Sequence, residues 1–109
     1  MTSFAAVGWA TTSTPPTYAC PLVGMTRALA SEVGDRGVTV NVITPGLTRT
    51  ETSLTTAVNE QFPHVIGMQA VPRAEEAEDV VSALLFLCDS GSAMVTGQTV
   101  NVDGGSAYH

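Results

Sequence analysis

Arg36-Gly37-Val38-Thr39-Val40-Asn41-Val42-Ile43-Thr44-Pro45-Gly46 is the stretch on which the fold turns. From Val38 to Ile43 every residue but Asn41 is β-branched. Such side chains are stiff at χ1 and pack well on a pleated strand. The run is nearly continuous in its apolarity rather than alternating. That pattern suits a parallel strand buried on both faces. Pro45-Gly46 ends it, because proline cannot donate to a ladder and the pair favours a turn.

Before this strand, Leu22, Met25, Leu29 and Val33 recur at helical spacing. Pro21 suits the first turn of that helix and Gly34 or Gly37 its end. Residues 1–17 are rich in Thr, Ser, Ala and Pro, and Pro15-Pro16 argues against helix there. Phe4 to Val7 reads as the end of a strand or the loop after one.

After the strand, Thr48 to Glu60 is polar and irregular, with room for one or two short helices. Ala74 to Cys88 reads as a second helix. Glu75, Glu76, Glu78 and Asp79 crowd its start, where the helix dipole favours anions. Val80, Val81, Leu84, Leu85, Leu87 and Cys88 form an apolar face too wide for a lone surface helix. Thr99-Val100-Asn101-Val102 is a last strand, ended by Asp103-Gly104-Gly105.

The order is strand end, helix, strand, loop, helix, strand. Helical crossovers between strands imply parallel pairing. The expected class is α/β, as the C-terminal portion of a doubly wound parallel sheet. Two or three strands leave such a sheet incomplete, and the second helix is apolar enough to pack on a larger one. The whole of 1–109 is expected to be a single partial domain.

Composition narrows the function. Apolar residues make up 44% of 109 residues and charged ones 13%, which is ample apolar surface for an ordered core. Net charge is -6, all four cations are arginines, and no lysine occurs. A nucleic-acid binder needs clustered cations to displace counterions from phosphates, so that class is excluded. No apolar run reaches the roughly 20 residues that cross a bilayer. No basic leader opens the chain, and the cytoplasm is the expected compartment. Cys20 and Cys88 have no metal-ligand or disulfide spacing and read as buried thiols, and no metal is expected.

Three segments together resemble the short-chain dehydrogenase/reductase family, in particular its 3-oxoacyl-carrier-protein reductases. The first is Gly24-Met25-Thr26-Arg27-Ala28-Leu29-Ala30-Ser31-Glu32 with the strand and Pro-Gly turn quoted above. The second is Val71-Pro72-Arg73 with the acidic helix start leading to Asp79-Val80. The third is Thr96-Gly97-Gln98-Thr99-Val100-Asn101-Val102-Asp103-Gly104-Gly105. They cover nearly everything from residue 22 onward.

The resemblance implies a Rossmann-type fold and hydride exchange between NAD or NADP and a small carbonyl or alcohol substrate. In such folds ligands bind beyond the carboxyl ends of the strands, where Pro45-Gly46 falls. By resemblance Pro45 and Gly46 lie beside the nicotinamide, and Leu47, Thr48 and Thr50 hold its carboxamide. Taken alone, Pro45-Gly46 reads more readily as an ordinary strand-ending turn. Residues 50–68 correspond to the family's variable substrate lid. There Leu54, Phe62 and Met68 either line an apolar pocket or serve as minor core. His64 reads as surface, and Asn41 as a structural hydrogen-bonder.

The family's catalytic group is a serine, a tyrosine and a lysine four positions beyond the tyrosine. By resemblance Tyr18 is the tyrosine and Ser3, or less favourably Ser13, the serine. Bottom-up, Tyr18 is equally a partly buried aromatic with a polar tip, and Ser3 a solvated hydroxyl. Leu22 stands at the lysine's position, and the interval from Tyr18 to Gly24 is about three residues shorter than the family pattern. The glycine-rich turn that receives the pyrophosphate at a helix N-terminus is also missing from the sequence. The expectation is a truncated oxidoreductase, inactive alone. An alternative is a non-catalytic module that associates with an intact relative. The apolar face of residues 80–88 suits pairing with a copy or a related subunit.

Overall fold

A computed structural model describes residues 2–7, 16–51 and 57–106, with side chains over 21–51 and 59–106. Trp9, Ser13 and Leu54 lie outside the described residues, as do the side chains of Ser3, Tyr18 and Cys20.

Strands β1 (Thr2–Val7), β2 (Val38–Pro45) and β5 (Thr99–Val102) form a three-stranded parallel sheet with β2 in the middle. Thr2 to Val7 of β1 run opposite Val38 to Ile43, and Thr99 to Val102 opposite Val42 to Pro45. The central position explains the unbroken apolar run: Val40, Val42 and Ile43 are all in the core, the last two with 0% exposure.

Helix α1, Pro16–Val33, joins β1 to β2 and packs on β2. It starts earlier than the two prolines suggested. Pro16 takes the first helical position, where its fixed φ and missing N–H are tolerated. Pro21 therefore lies inside the helix rather than in its first turn. One turn later, Thr26, which is fully buried, returns its hydroxyl to the Leu22 carbonyl at 2.8 Å. Gly37 ends the connection in the left-handed region, φ 72°, which a side chain would disfavour.

Past β2, a two-residue strand β3, Thr48–Arg49, pairs in parallel with β4, Glu75–Glu76. Between them a short helix α2, Phe62–Met68, replaces part of the expected lid loop. Phe62 and Val65 are buried, whereas Met68 and His64 are exposed.

Helix α3, Ala77–Cys88, begins three residues later than Ala74. The cause is its cap. The Glu76 side chain accepts from the backbone at Asp79, and Asp79 Oδ2 accepts the Glu76 N–H at 2.8 Å. Glu75 thus precedes the helix and turns inward. Helix α3 packs on all three strands, and its Leu87 is buried at 2% exposure. Its far side stays apolar and uncovered, with Val81, Leu85 and Phe86 exposed. Cys88, expected to be buried, lies on that side and is exposed. Among the described residues no helix is long and apolar enough to cross a membrane.

Candidate functional site

The site is built at the carboxyl end of β2. Pro45 and Gly46 are buried there, paired against Val102 of β5, with the Gly46 N–H donating to the Val102 carbonyl at 2.9 Å. A Cβ on Gly46 would stand 3.0 Å from the Asp103 Cβ, 3.1 Å from the Asp103 Cα and 3.1 Å from Glu75 Oε2. The missing side chain at 46 is therefore filled by Asp103 and Glu75, and a larger residue would drive backbone against backbone. The strand-ending turn and the close packing of two carboxyls depend on the same glycine.

Leu47 and Thr48 are half-buried and Thr50 is exposed. The Thr48 hydroxyl donates to the Gly46 carbonyl at 3.1 Å and lies 3.4 Å from Glu75 Oε2. The Thr44 hydroxyl bonds to Asn101 Oδ1 on β5, tying the last residues of the two strands together. Four expected contact residues, Pro45, Gly46, Leu47 and Thr48, are thus brought together in one turn, with Thr50 two residues on. The backbones of Ser3 and Tyr18 fall in β1 and in the first turn of α1, while their side chains are not among those described. Leu22, in the lysine's place, follows one turn after Tyr18.

Beside the turn lies a cleft of about 310 Å³, lined by Gln69, Arg73, Glu75, Asp79, Asn101 and Asp103 among others. Its acids outnumber its bases. Arg73 grips Asp79 through two bonds of 2.8 Å, and that pairing holds the Asp79 carboxyl well below the usual carboxylate range. Glu75 is different. It is 6% exposed, and its Oε1 has no hydrogen-bond partner among the described residues. Burial pushes its pKa up to about 7. Contact with Gly46 and Thr48 opposes that rise, and the Asp79 and Asp103 charges add to it.

The turn fits the nicotinamide end of a dinucleotide: a glycine-bearing bend past a parallel strand, flanked by hydroxyls. The cleft does not fit the diphosphate, since its excess of carboxyls repels phosphate. Among the described residues no helix opens on a glycine-rich turn, and no group of three or more acids, histidines or cysteines could hold a metal ion.

Residue spacing missed Glu75 and Asp103 as parts of this site. By spacing Glu75 belongs with the dipole-facing acids of the helix start. The signal available was the Arg73…Asp79 interval, which spans the cap and leaves Glu75 ahead of it.

The chain is similar to known proteins over most of its length. A family profile described as Enoyl-(Acyl carrier protein) reductase matches residues 2–107. The 3-oxoacyl-[acyl-carrier-protein] reductase FabG of Pseudomonas aeruginosa is 42% identical over 85 residues, covering 77% of this chain and 34% of its own length. The (2S)-[(R)-hydroxy(phenyl)methyl]succinyl-CoA dehydrogenase subunit BbsD of Thauera aromatica is also 42% identical over 85 residues, with the same coverage. Among solved structures, the TT0495 protein of Thermus thermophilus matches with a TM-score of 0.78 at 32% identity, over 94% of this chain and 47% of that one. A mutant short-chain dehydrogenase/reductase of Serratia marcescens has a TM-score of 0.80 at 23% identity, over 97% of this chain and 46% of that one, and speaks for the fold. The chain spans about a third of the length of the curated relatives it matches. A Rossmann-type α/β sheet, a Pro-Gly turn at the end of its central strand and these likenesses lead to one conclusion: the chain belongs to the short-chain dehydrogenase/reductase family of oxidoreductases.

Proposed function

We propose that this chain is the carboxyl-terminal portion of an NAD- or NADP-dependent reductase or dehydrogenase acting on a small carbonyl or alcohol substrate. By itself it does not turn over. The reading is carried by the Pro45–Thr48 turn at the carboxyl end of β2, where ligands of open parallel sheets bind. A bound nicotinamide supplies or accepts the hydride. The chain's own part is to receive the carboxamide with the backbone of Gly46, Leu47 and Thr48 and the hydroxyl of Thr50. Tyr18 passes a proton to or from the substrate oxygen, and Ser3 holds that oxygen.

Inactivity follows from charge. The 109 residues contain no lysine, and Leu22 stands where an ammonium would make Tyr18 acidic. A phenol left near its ordinary pKa of about 10 is a poor base at neutral pH. The acidic cleft offers nothing to a diphosphate. The names of the relatives suggest a carbonyl or hydroxyl on a thioester-carried acyl chain as substrate. The uncovered apolar side of α3 supports association with a copy or a related subunit in the cytoplasm.

Titration of the purified chain with NADH and NADPH, followed by amide NMR and by turnover of a 3-oxoacyl thioester, tests the reading. Expected are shifts confined to residues 45–50, no saturation below roughly 1 mM given the absent phosphate contacts, and no turnover. Absence of any shift in the turn removes the nicotinamide site. Turnover at an ordinary rate removes the claim of inactivity.

A further inference from the structure

Among the described residues, Glu75 is the one buried titratable group at this site to which the proposed chemistry gives no task. Its carboxyl touches two residues of the turn at once. Oε2 lies against Gly46, 3.1 Å from where a Cβ would stand, and 3.4 Å from the Thr48 hydroxyl. The backbone supports this contact, because Glu75 sits opposite Thr48 in the β3–β4 ladder. In the next rung Arg49 faces Glu76 and pairs with it at 3.4 Å.

Thr48 has two acceptors within reach, and the state of the carboxyl decides between them. A hydroxyl has one proton to give. Thr48 gives it to the Gly46 carbonyl, the shorter of its two contacts at 3.1 Å. The Gly46 N–H bonds to Val102 and also favours an ionised Glu75. An ionised Glu75 competes for the Thr48 hydroxyl proton through its 3.4 Å contact with Thr48, whereas a protonated carboxyl donates to Thr48 Oγ1 and leaves the hydroxyl proton to the Gly46 carbonyl. The chain runs from Glu75 Oε2–H to Thr48 Oγ1–H to the Gly46 carbonyl. A neutral carboxyl also leaves the unpartnered Oε1 as a carbonyl oxygen rather than half of a buried charge, which costs less.

We propose that Glu75, in its protonated form, is a positioning residue that fastens the Pro45–Thr48 turn, and that ionisation of this carboxyl loosens the turn. The surrounding charges agree. Asp79 of α3 and Asp103 beyond β5 both disfavour a second anion, the Arg73 guanidinium is held by Asp79, and Arg49 is held by Glu76. The elevated pKa, about 7, puts the change near neutral pH. The consequence for nicotinamide rests on the function proposed above; the fastening of the turn does not.

The test is NMR of the labelled full chain without cofactor, between about pH 5 and 9. The amides of Gly46, Leu47 and Thr48 are expected to move along one titration curve with the Glu75 carboxyl carbon. In Glu75→Gln they stay near their acid-side positions throughout. In Glu75→Ala, Thr48 amide exchange rises about tenfold at acid pH while Val42 exchange is unchanged. A Glu75 carbon that titrates in the ordinary carboxylate range with the turn unmoved overturns the proposal. So does a Glu75→Gln variant whose turn titrates as before. NADH added in parallel separates the two ideas. A turn that titrates but never responds to NADH keeps the fastening and removes the nicotinamide site. A response weaker by about tenfold at the alkaline end supports both.

Discussion

Two buried polar side chains, Asn41 in the middle of β2 and Glu75 on β4 beside the turn that follows β2, are solved in opposite ways. The Asn41 amide is 1% exposed and paired at both ends: its Nδ2 donates to the Val95 carbonyl at 2.9 Å, and its Oδ1 accepts the Gln98 N–H at 3.0 Å. Around it the loop is stitched to the strand by Gly97 N–H to Val40 O at 2.7 Å, Val40 N–H to Thr96 Oγ1 at 3.0 Å and Val42 N–H to Gln98 O at 2.9 Å. Gly97, at φ 71°, makes that close path possible. Together they bring β5 to β2 at a fixed register. Glu75 has one oxygen engaged and one not. An amide paired at both ends locks a structure at any pH, whereas a half-paired carboxyl makes its surroundings answer to a proton.

The largest expected effect breaks the lock. Asn41→Leu leaves the Val95 carbonyl and the Gln98 N–H buried without partners. It should cost about 2–4 kcal/mol of unfolding free energy, equally at pH 5 and pH 8, by urea denaturation at both. Gly46→Ala attacks the other region. Its Cβ would meet the Asp103 backbone, so a loss of about 1–3 kcal/mol is expected, together with displaced Gly46–Thr48 amides by NMR.

The pH dependence of wild-type stability sharpens the comparison. Glu75 is raised in the folded state from 4.5 to about 7. Between those values the unfolded chain has released a proton that the folded chain retains, so unfolding becomes easier as pH rises. Its contribution is fully present below about pH 4.5 and is lost by about pH 7. After allowance for nearby solvent the loss is about 1–2 kcal/mol, visible as a fall in urea midpoint that Glu75→Gln abolishes. Smallest is Asp79→Asn, which weakens an exposed pair and half a capping box. A slight lowering of Tm without change in the Glu75 titration midpoint beyond that of a lost neighbouring charge is expected.

Much of the fold was legible from residues 22 to 105. The β-branched run 38–43, the helical spacing of Leu22 to Val33 and the wide apolar face of 80–88 are periodic signals, and each became the expected element. The boundaries failed where a single interaction overrode propensity. The cap of Glu76 and Asp79 moved the second helix start to Ala77, and Pro16 opened the first helix where two prolines argued against one. The burial expected for Cys88 failed because α3 has two apolar sides and the sheet covers one. The turn of Pro45–Thr48 was legible through family resemblance, but its neighbours were not. Glu75 reaches Gly46 across a β3–β4 ladder that joins residues 27 apart in sequence, and no local pattern encodes that contact.

Local chemistry written in the chain determined the elements, their parallel order, the family and the absence of lysine from the 109 residues. Only the packed structure decided which acid of the Glu75–Asp79 cluster is buried, which is paired and which face of α3 is left bare. The reason is that periodicity reports a residue's own element, whereas burial and charge state are set by groups that the fold brings from elsewhere.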